Sequence, residues 1–559
     1  MYKRSVFFIL AAIIIAVFFQ RFYLDVPVGK NITITQKYTK RVIFIPLDSR
    51  PPCAKFVIDA GRIADIEVIT PPQSMMDYYT EPGNTAALRK WLAENAVSAD
   101  GIIVSIDQLL YGGLLASRQS FGKEAQEGAL WQMLKDIRES NPQLPIYAFN
   151  ILPRITPPAN IDSVQDIKNL MEYSRLTDKL SQFYDEDDLV KIEKLRGKIP
   201  EGHLAQYMDL YIRNLQLNKK LIDLAAQKVL TKVVIGQDDG EKYGIPNMER
   251  RSLQQYTATE QLDNGTVFIT HGADEVGMSL LFNMAQEFND NKYHPRIFVA
   301  YNEESSAQAI LPYMAAPVEE ITEEKIAMTG GRIVSTADEA DFILYLHIGD
   351  DENLSARYCG AKRIKEWLKD GKKVAVVDLS RHFSADEALF PVLLANDVPV
   401  NSLLAYSGWN TVSNSVGTAV SQAALYCLSD NNKIDTDDVL RLTYNNLTVL
   451  YEHFVEDYFY LKGTIDAVNI SLRKAGINNV SDLNLENNYL WANRMLAFSL
   501  QRQLDKLAYG MASRTPLTIK TSDGIKKIYL RNMKVDAFFP WPRTFEIYTD
   551  VNFTMLLGQ

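Results

Sequence analysis

Between Arg41 and Tyr406 the chain repeats one pattern: a short run dominated by Val and Ile, then a longer stretch with apolar positions at helical spacing. Short apolar runs bounded by turn residues read as buried strands, and their alternation with amphipathic segments reads as βαβ units in parallel sheets. Ten strands are predicted, at 42–46, 66–69, 101–106, 146–149, 232–235, 267–270, 297–300, 342–346, 374–377 and 403–406. Ten exceed one ordinary barrel. The expected fold is therefore α/β with mainly parallel sheet, arranged as two Rossmann-like halves around a cleft. A distorted (β/α) barrel is the alternative.

Other stretches break this rhythm. A charged, helical-period stretch from Asp162 to Leu230, interrupted at Gly197 to Gly202, predicts a helical insertion in the first half. A second helical block runs from about Thr436 to Arg514. From Leu517 to Leu557 the period shortens to two around the turn Ser522-Asp523-Gly524, which predicts a small antiparallel β unit. The expected division is a leading segment at 1–29, α/β regions at 30–262 and 263–430, a helical region at 431–515 and the β unit at 516–559.

The leading segment carries a different signal. Lys3 and Arg4 precede an apolar run from Ser5 to Phe19, closed by Gln20 and Arg21. At about 1.5 Å per residue the run reaches roughly 22 Å, short of a hydrocarbon core of about 30 Å, so Phe22, Tyr23 and Leu24 would have to help it span. No small-residue processing site follows Ala16, which favours an uncleaved signal anchor over a cleaved signal. With the basic pair inside, the body is expected outside the cytoplasm, held at the cell membrane, with secretion as the alternative.

Composition narrows the partners. A net charge of −10 argues against nucleic acid, whose phosphates need a concentrated cationic surface. Three cysteines, Cys53, Cys359 and Cys427, are too few and too scattered for a disulfide framework. There is no His-Glu-x-x-His, no Cys-x-x-Cys, no Gly-x-Ser-x-Gly and no Gly-x-Gly-x-x-Gly after the first strand. No cofactor and no metal is expected.

The uncommon polar residues cluster just after the predicted strands, where α/β folds bind ligands. Asp48 and Arg50 follow the first, Asp107, Tyr111 and Arg118 the third, and Asn150 and Arg154 the fourth. Asp238, Asp239 and Tyr243 follow the fifth, Asp274 and Glu275 the sixth, Tyr301 and Asn302 the seventh, and Trp409 and Asn410 the last. A single aspartate there is commonly the N-cap of the next helix. The doublets Asp238-Asp239 and Asp274-Glu275 set like charges side by side, which raises one pKa and suits acid and base chemistry.

Several of these motifs, Pro46-Leu47-Asp48-Ser49-Arg50-Pro51, Tyr111-Gly112-Gly113-Leu114 with Ala116-Ser117-Arg118, Gln237-Asp238-Asp239, Gly272-Ala273-Asp274-Glu275 and Gly408-Trp409-Asn410-Thr411, occur in that order. Together they resemble the bacterial family known as domain of unknown function 4127, over about residues 40–557. The resemblance implies a shared fold and site and brings no settled activity; Ser49 stands where a second acidic residue is expected. A shorter stretch, His271-Gly272-Ala273-Asp274-Glu275-Val276, is similar to the strand-end motif of family-20 β-N-acetylhexosaminidases. That likeness implies Asp274 orienting a substrate acetamido group and Glu275 protonating the leaving oxygen, although His271 stands one residue closer and Ala273 replaces a glycine.

The function expected from these residues is a glycoside hydrolase on an envelope or environmental glycan, with Glu275 as acid and Asp274, Asp239 or Asp238 as its partner. Asp48, Arg50, Asp107, Tyr111, Arg118, Asn150, Arg154, Tyr243, Tyr301, Asn302, Trp409 and Asn410 would bind the substrate, each aromatic having core packing as its alternative. Arg50, Arg118 and Arg154 would grip a substrate anion or pair with the acidic doublets. Two rival functions remain: a metal-dependent hydrolase built on the strand-end aspartates, and a non-catalytic glycan binder. The Trp541 to Glu546 segment is expected to dock the terminal β unit on the body.

Overall fold

The computed structural model describes residues 29–558 apart from 120–123, 159, 290–291, 351–353, 409, 432, 434, 481–482 and 484–487. The leading segment before Gly29, with its expected membrane span, lies outside the described residues, as does Trp409. Among the described residues no helix is long and apolar enough to cross a membrane.

Two parallel sheets form the body. The first has six strands in the order β3-β2-β4-β5-β6-β7: β2 (Lys40–Ile45), β3 (Ile66–Ile69), β4 (Gly101–Ser105), β5 (Ile146–Leu152), β6 (Lys232–Gln237) and β7 (Val267–His271). The second has five in the order β12-β11-β10-β8-β9: β8 (Arg296–Tyr301), β9 (Arg332–Ile333), β10 (Phe342–Gly349), β11 (Val374–Ser380) and β12 (Ala405–Ser407). Neither closes into a barrel, so the open two-sheet arrangement holds. All ten expected strands are present. Because β7 belongs to the first sheet, the second α/β region begins after His271 rather than at 263.

Helices cover both faces of these sheets, so the strand interiors are apolar throughout rather than alternating. Val42, Ile43, Phe44 and Ile45 of β2 are all fully buried, each stabilising the fold by roughly 1.5–3 kcal/mol relative to exposure. Helix Val412–Asp430 joins the halves, packing on helix Val276–Glu287 of one and helix Val318–Met328 of the other.

Three helices, Val164–Gln182, Glu186–Arg196 and Glu201–Ala226, stand between β5 and β6 as the expected insertion. Ser163 and Asp185 start the first two by accepting from the backbone N–H groups of Asp166 and Asp188. The third fixes a loop of the body, since the Tyr207 hydroxyl donates to the Ile155 carbonyl at 2.6 Å and that of Tyr211 to the Arg154 carbonyl at 2.9 Å.

The helical region from Thr436 to Arg514 leads into an antiparallel sheet of order β1-β15-β14-β13, with β1 (Gly29–Ile32), β13 (Leu517–Thr521), β14 (Gly524–Phe538) and β15 (Tyr548–Gly558). Strand β1 was not foreseen. It pairs with β15 in the register Gly29 to Gly558 and Ile32 to Met555, tying the first described residues to the last.

Candidate active site

In the first sheet the strand order reverses between β2 and β4, and in the second between β8 and β10, the positions at which open α/β sheets leave a crevice beyond their carboxyl ends. A cavity of about 320 Å³ lies beyond the carboxyl ends of the first sheet, lined from the loops after β2, β4, β5, β6 and β7. The first sheet contributes Asp48, Arg50, Arg118, Arg154, Gln237, Asp238, Asp239 and Asp274; the second half contributes Tyr313, Met314, Asn410 and Asn414. Trp541, Arg543 and Phe545 close it from the terminal unit. These last three lie beyond the reach of strand-end reasoning. The segment does dock the β unit, because Trp541 Nε1 donates to Ser49 Oγ at 2.9 Å, and it is also a wall of the site.

Charge inside the cleft is matched pair by pair. Arg50 sits between two aspartates, its Nη2 2.7 Å from Asp48 Oδ2 and 2.7 Å from Asp274 Oδ1, and its guanidinium lies 5.8 Å from the Trp541 ring. Burial opposes the charge on Arg50, but Asp274 and Asp48 overcome it and hold the group well above its ordinary value. Arg118 pairs with Asp238, and Arg154 stands 3.8 Å from Asp239. Burial, with Arg154 nearby, brings Arg118 down to about 9, still a cation at neutral pH. Arg543 pairs with Glu546 and stacks 4.9 Å from the Trp541 ring.

Asp239 differs from its neighbours. It is about one-third exposed on the cleft, its arginine is distant, and burial together with nearby Asp274 raises its carboxyl above the ordinary range despite Arg118 and Arg154. The loop that carries it is pinned across the cleft by the Gly240 N–H, which donates to the Tyr313 carbonyl at 2.9 Å. Tyr313 accepts that bond in a left-handed conformation (φ 65°), a strain of about 1–3 kcal/mol of the kind found at ligand sites. Two amide oxygens, Gln237 Oε1 and Asn414 Oδ1, are buried on cleft residues with no hydrogen-bond partner among the described residues.

Glu275 does not line the cleft. It turns inward from Asp274 and meets helix Val318–Met328, where Lys325 Nζ lies 2.5 Å from its Oε1 with both side chains almost fully buried. The Ala273 N–H donates to its other oxygen at 3.1 Å. Gly272 (φ 100°) is required here, since a Cβ on it would sit 2.1 Å from Glu275 Oε1. Beside this pair, Glu324 accepts from the His271 backbone and stands 3.0 Å from His271 Nδ1; burial opposes its charge, and His271 and Lys325 take it down to about 2. Glu275 therefore belongs to a joint between the halves, and the expected acid role has no geometry to support it.

Other expected substrate contacts also lie away from the cleft. Asn302 bridges β8 to β10, its side chain donating to the Ile348 carbonyl and accepting from the Ile348 N–H, both at 3.1 Å. Tyr301 sits on the other side of β8, raised to about 12 by burial. Asn150 donates to Asn218 under the helical insertion. Tyr243 is outside the cavity, Tyr111 is core, and Asp107 is buried behind Arg118, with burial bringing its carboxyl up to about 7. As for the metal-centred alternative, among the described residues no three His, Cys, Asp or Glu side chains gather as a metal requires. Arg50 occupies the space between Asp48 and Asp274.

The family model described as protein of unknown function (DUF4127) matches residues 42–550. The chain belongs to the DUF4127 family. No curated protein matches it. The strand-end motifs that resembled DUF4127 supply most of the cleft, so its ordered polar residues have a common spatial meaning.

One carboxyl behind the cleft carries a stability prediction for this DUF4127 member. Asp77 is buried, accepts from the Ser49 N–H at 2.9 Å, and is raised to about 8 by burial and by Asp48. A proton held more tightly in the folded state gives stability that is full below the ordinary value of 3.8 and lost as pH rises through about 8. Melting temperature is thus expected to fall between about pH 4 and 8, and Asp77→Asn to flatten that slope. A variant whose melting falls in parallel with the parent would assign the slope to other groups.

Proposed function

We propose that the cleft is the active site of a glycoside hydrolase acting on an envelope or environmental glycan, presented outside the membrane by the leading apolar segment. Asp239 is the proton donor to the leaving oxygen, in place of Glu275. Asp274, salt-bridged to Arg50, is the negative charge that faces the oxocarbenium-like centre. The observation that carries this reading is the contrast between them: one cleft carboxyl raised and loosely partnered, another locked to a guanidinium.

The lining suits a sugar. Tyr313 and Phe545 offer apolar faces for a ring, and Asn410 and Asn414 bring amide groups to the same cleft. The whole chain should be screened on aryl glycosides and cell-wall fragments. Asp239→Asn is expected to lower kcat by roughly 10²–10⁴, and the parent's rate to fall on the alkaline side as Asp239 loses its proton. Absence of turnover, or turnover unchanged in Asp239→Asn, would sink the proposal. The close pairing of Arg50 and Arg118 also suits a preorganised binding surface. Tight glycan binding that neither turns over nor responds to Asp239→Asn would establish that second reading.

A further inference from the structure

Helix Asn488–Tyr509 has two unlike faces. Ala492, Leu496, Leu500, Leu504 and Leu507 are buried, and the helix packs on β14. At 100° per residue, Trp491, Arg494, Phe498, Arg502, Asp505 and Tyr509 fall on one narrow stripe on the opposite side, and all six are exposed. Phe498, between the two arginines, is 71% exposed and Tyr509, at the end of the stripe, 69%. Single exposed apolar residues need no explanation, but an aromatic and basic stripe held by a buried leucine seam does.

Charge and covalent connection point to its occupant. Residues 488–559 contain ten Lys and Arg against five Asp and Glu, in a chain whose net charge is −10. Strand β1, which the leading segment enters, is two strands from β14, about 10 Å at ordinary strand spacing. Only nine residues, 20–28, separate the apolar run from β1, a reach of at most about 30 Å. An anchored chain would thus hold this unit within reach of the bilayer.

We infer that the exposed stripe of helix Asn488–Tyr509 is a membrane-docking surface, with its aromatics at the headgroup level and its arginines on anionic lipid phosphates. The inference rests on the membrane-anchor part of the proposed function and is independent of the hydrolase part. It gives the body a fixed orientation on the membrane.

The full chain would be reconstituted in vesicles of phosphatidylcholine and phosphatidylglycerol with brominated acyl chains. A fluorophore would be placed at Phe498→Cys and, for comparison, at Tyr184→Cys on the helical insertion, both with Cys359→Ser. Bromine is expected to quench the label at 498 several-fold more than that at 184, and Arg494→Glu with Arg502→Glu to reduce the difference. Equal, weak quenching at both positions on vesicle-bound protein would overturn the surface while leaving the anchor intact. If high salt releases the chain from floated vesicles, the anchor reading fails. Salt-sensitive co-sedimentation of the soluble chain, weakened at least about tenfold by the double charge reversal, would then sustain the surface; its absence would overturn it, as would cross-linking of two copies through position 498.

Discussion

Arg50→Met is expected to cost the fold about 3–5 kcal/mol and to empty the cleft of its organisation. Arg50 bridges Asp48 and Asp274, and all three are largely buried. Removing it leaves two carboxylates facing each other with little water to screen them. The loss extends to the terminal unit, because Arg50 also lies over Trp541 and within 3.8 Å of Glu546. Arg50→Lys should recover only part of the loss, since an ammonium cannot present the guanidinium fork to two carboxylates. Chemical denaturation checks this. An Arg50→Met protein within about 1 kcal/mol of the parent would show the triad to be dispensable.

Lys325→Met is expected to be comparably damaging, at about 3–5 kcal/mol, although it touches nothing in the cleft. It strands Glu275 in the interior and removes the donor to Thr270 Oγ1 at 2.8 Å and to the His271 carbonyl. The informative comparison is the double variant. Glu275→Gln should recover a substantial part of what Lys325→Met loses, because the remaining cost is that of an amide rather than an unpaired charge. Additive losses would mean that the two side chains act separately. Were Glu275 a surface acid of the cleft, Glu275→Gln alone would remove turnover without altering stability; the structure leads to the opposite expectation.

The strands were legible because burial on both faces makes a Val and Ile run nearly continuous, as in β2 and β11. The strand-end rule was also informative, since chain crossover geometry brings the loops after β2, β4, β5, β6 and β7 to one side. That is why Asp48, Arg118, Arg154, Asp239 and Asp274 meet. What sequence spacing does not encode is which way a loop residue turns: Asp274 faces the cleft and Glu275, one residue later, faces Lys325. Nor does it encode partners hundreds of residues away. Trp541 reaches Ser49 across 492 positions, and nothing near either residue announces the meeting. Asp77 escaped notice because it follows the short strand β3 by a stretch of Pro, Gln, Ser and Met with no charge of its own.

The third wall of the cleft has a consequence for the timing of synthesis. Every strand of both parallel sheets is encoded before residue 410, whereas Trp541, Arg543 and Phe545 come more than 130 residues later. At about 5–20 residues per second, roughly half a minute to two minutes pass from the first residue before the ribosome has made these three side chains, about 7–28 s of it after the last strand of the sheets. Strand β1, made early, waits just as long for β15. A nascent chain can therefore build both sheets and still have an open, unfinished cleft, so the completed site reports that synthesis has passed Phe545.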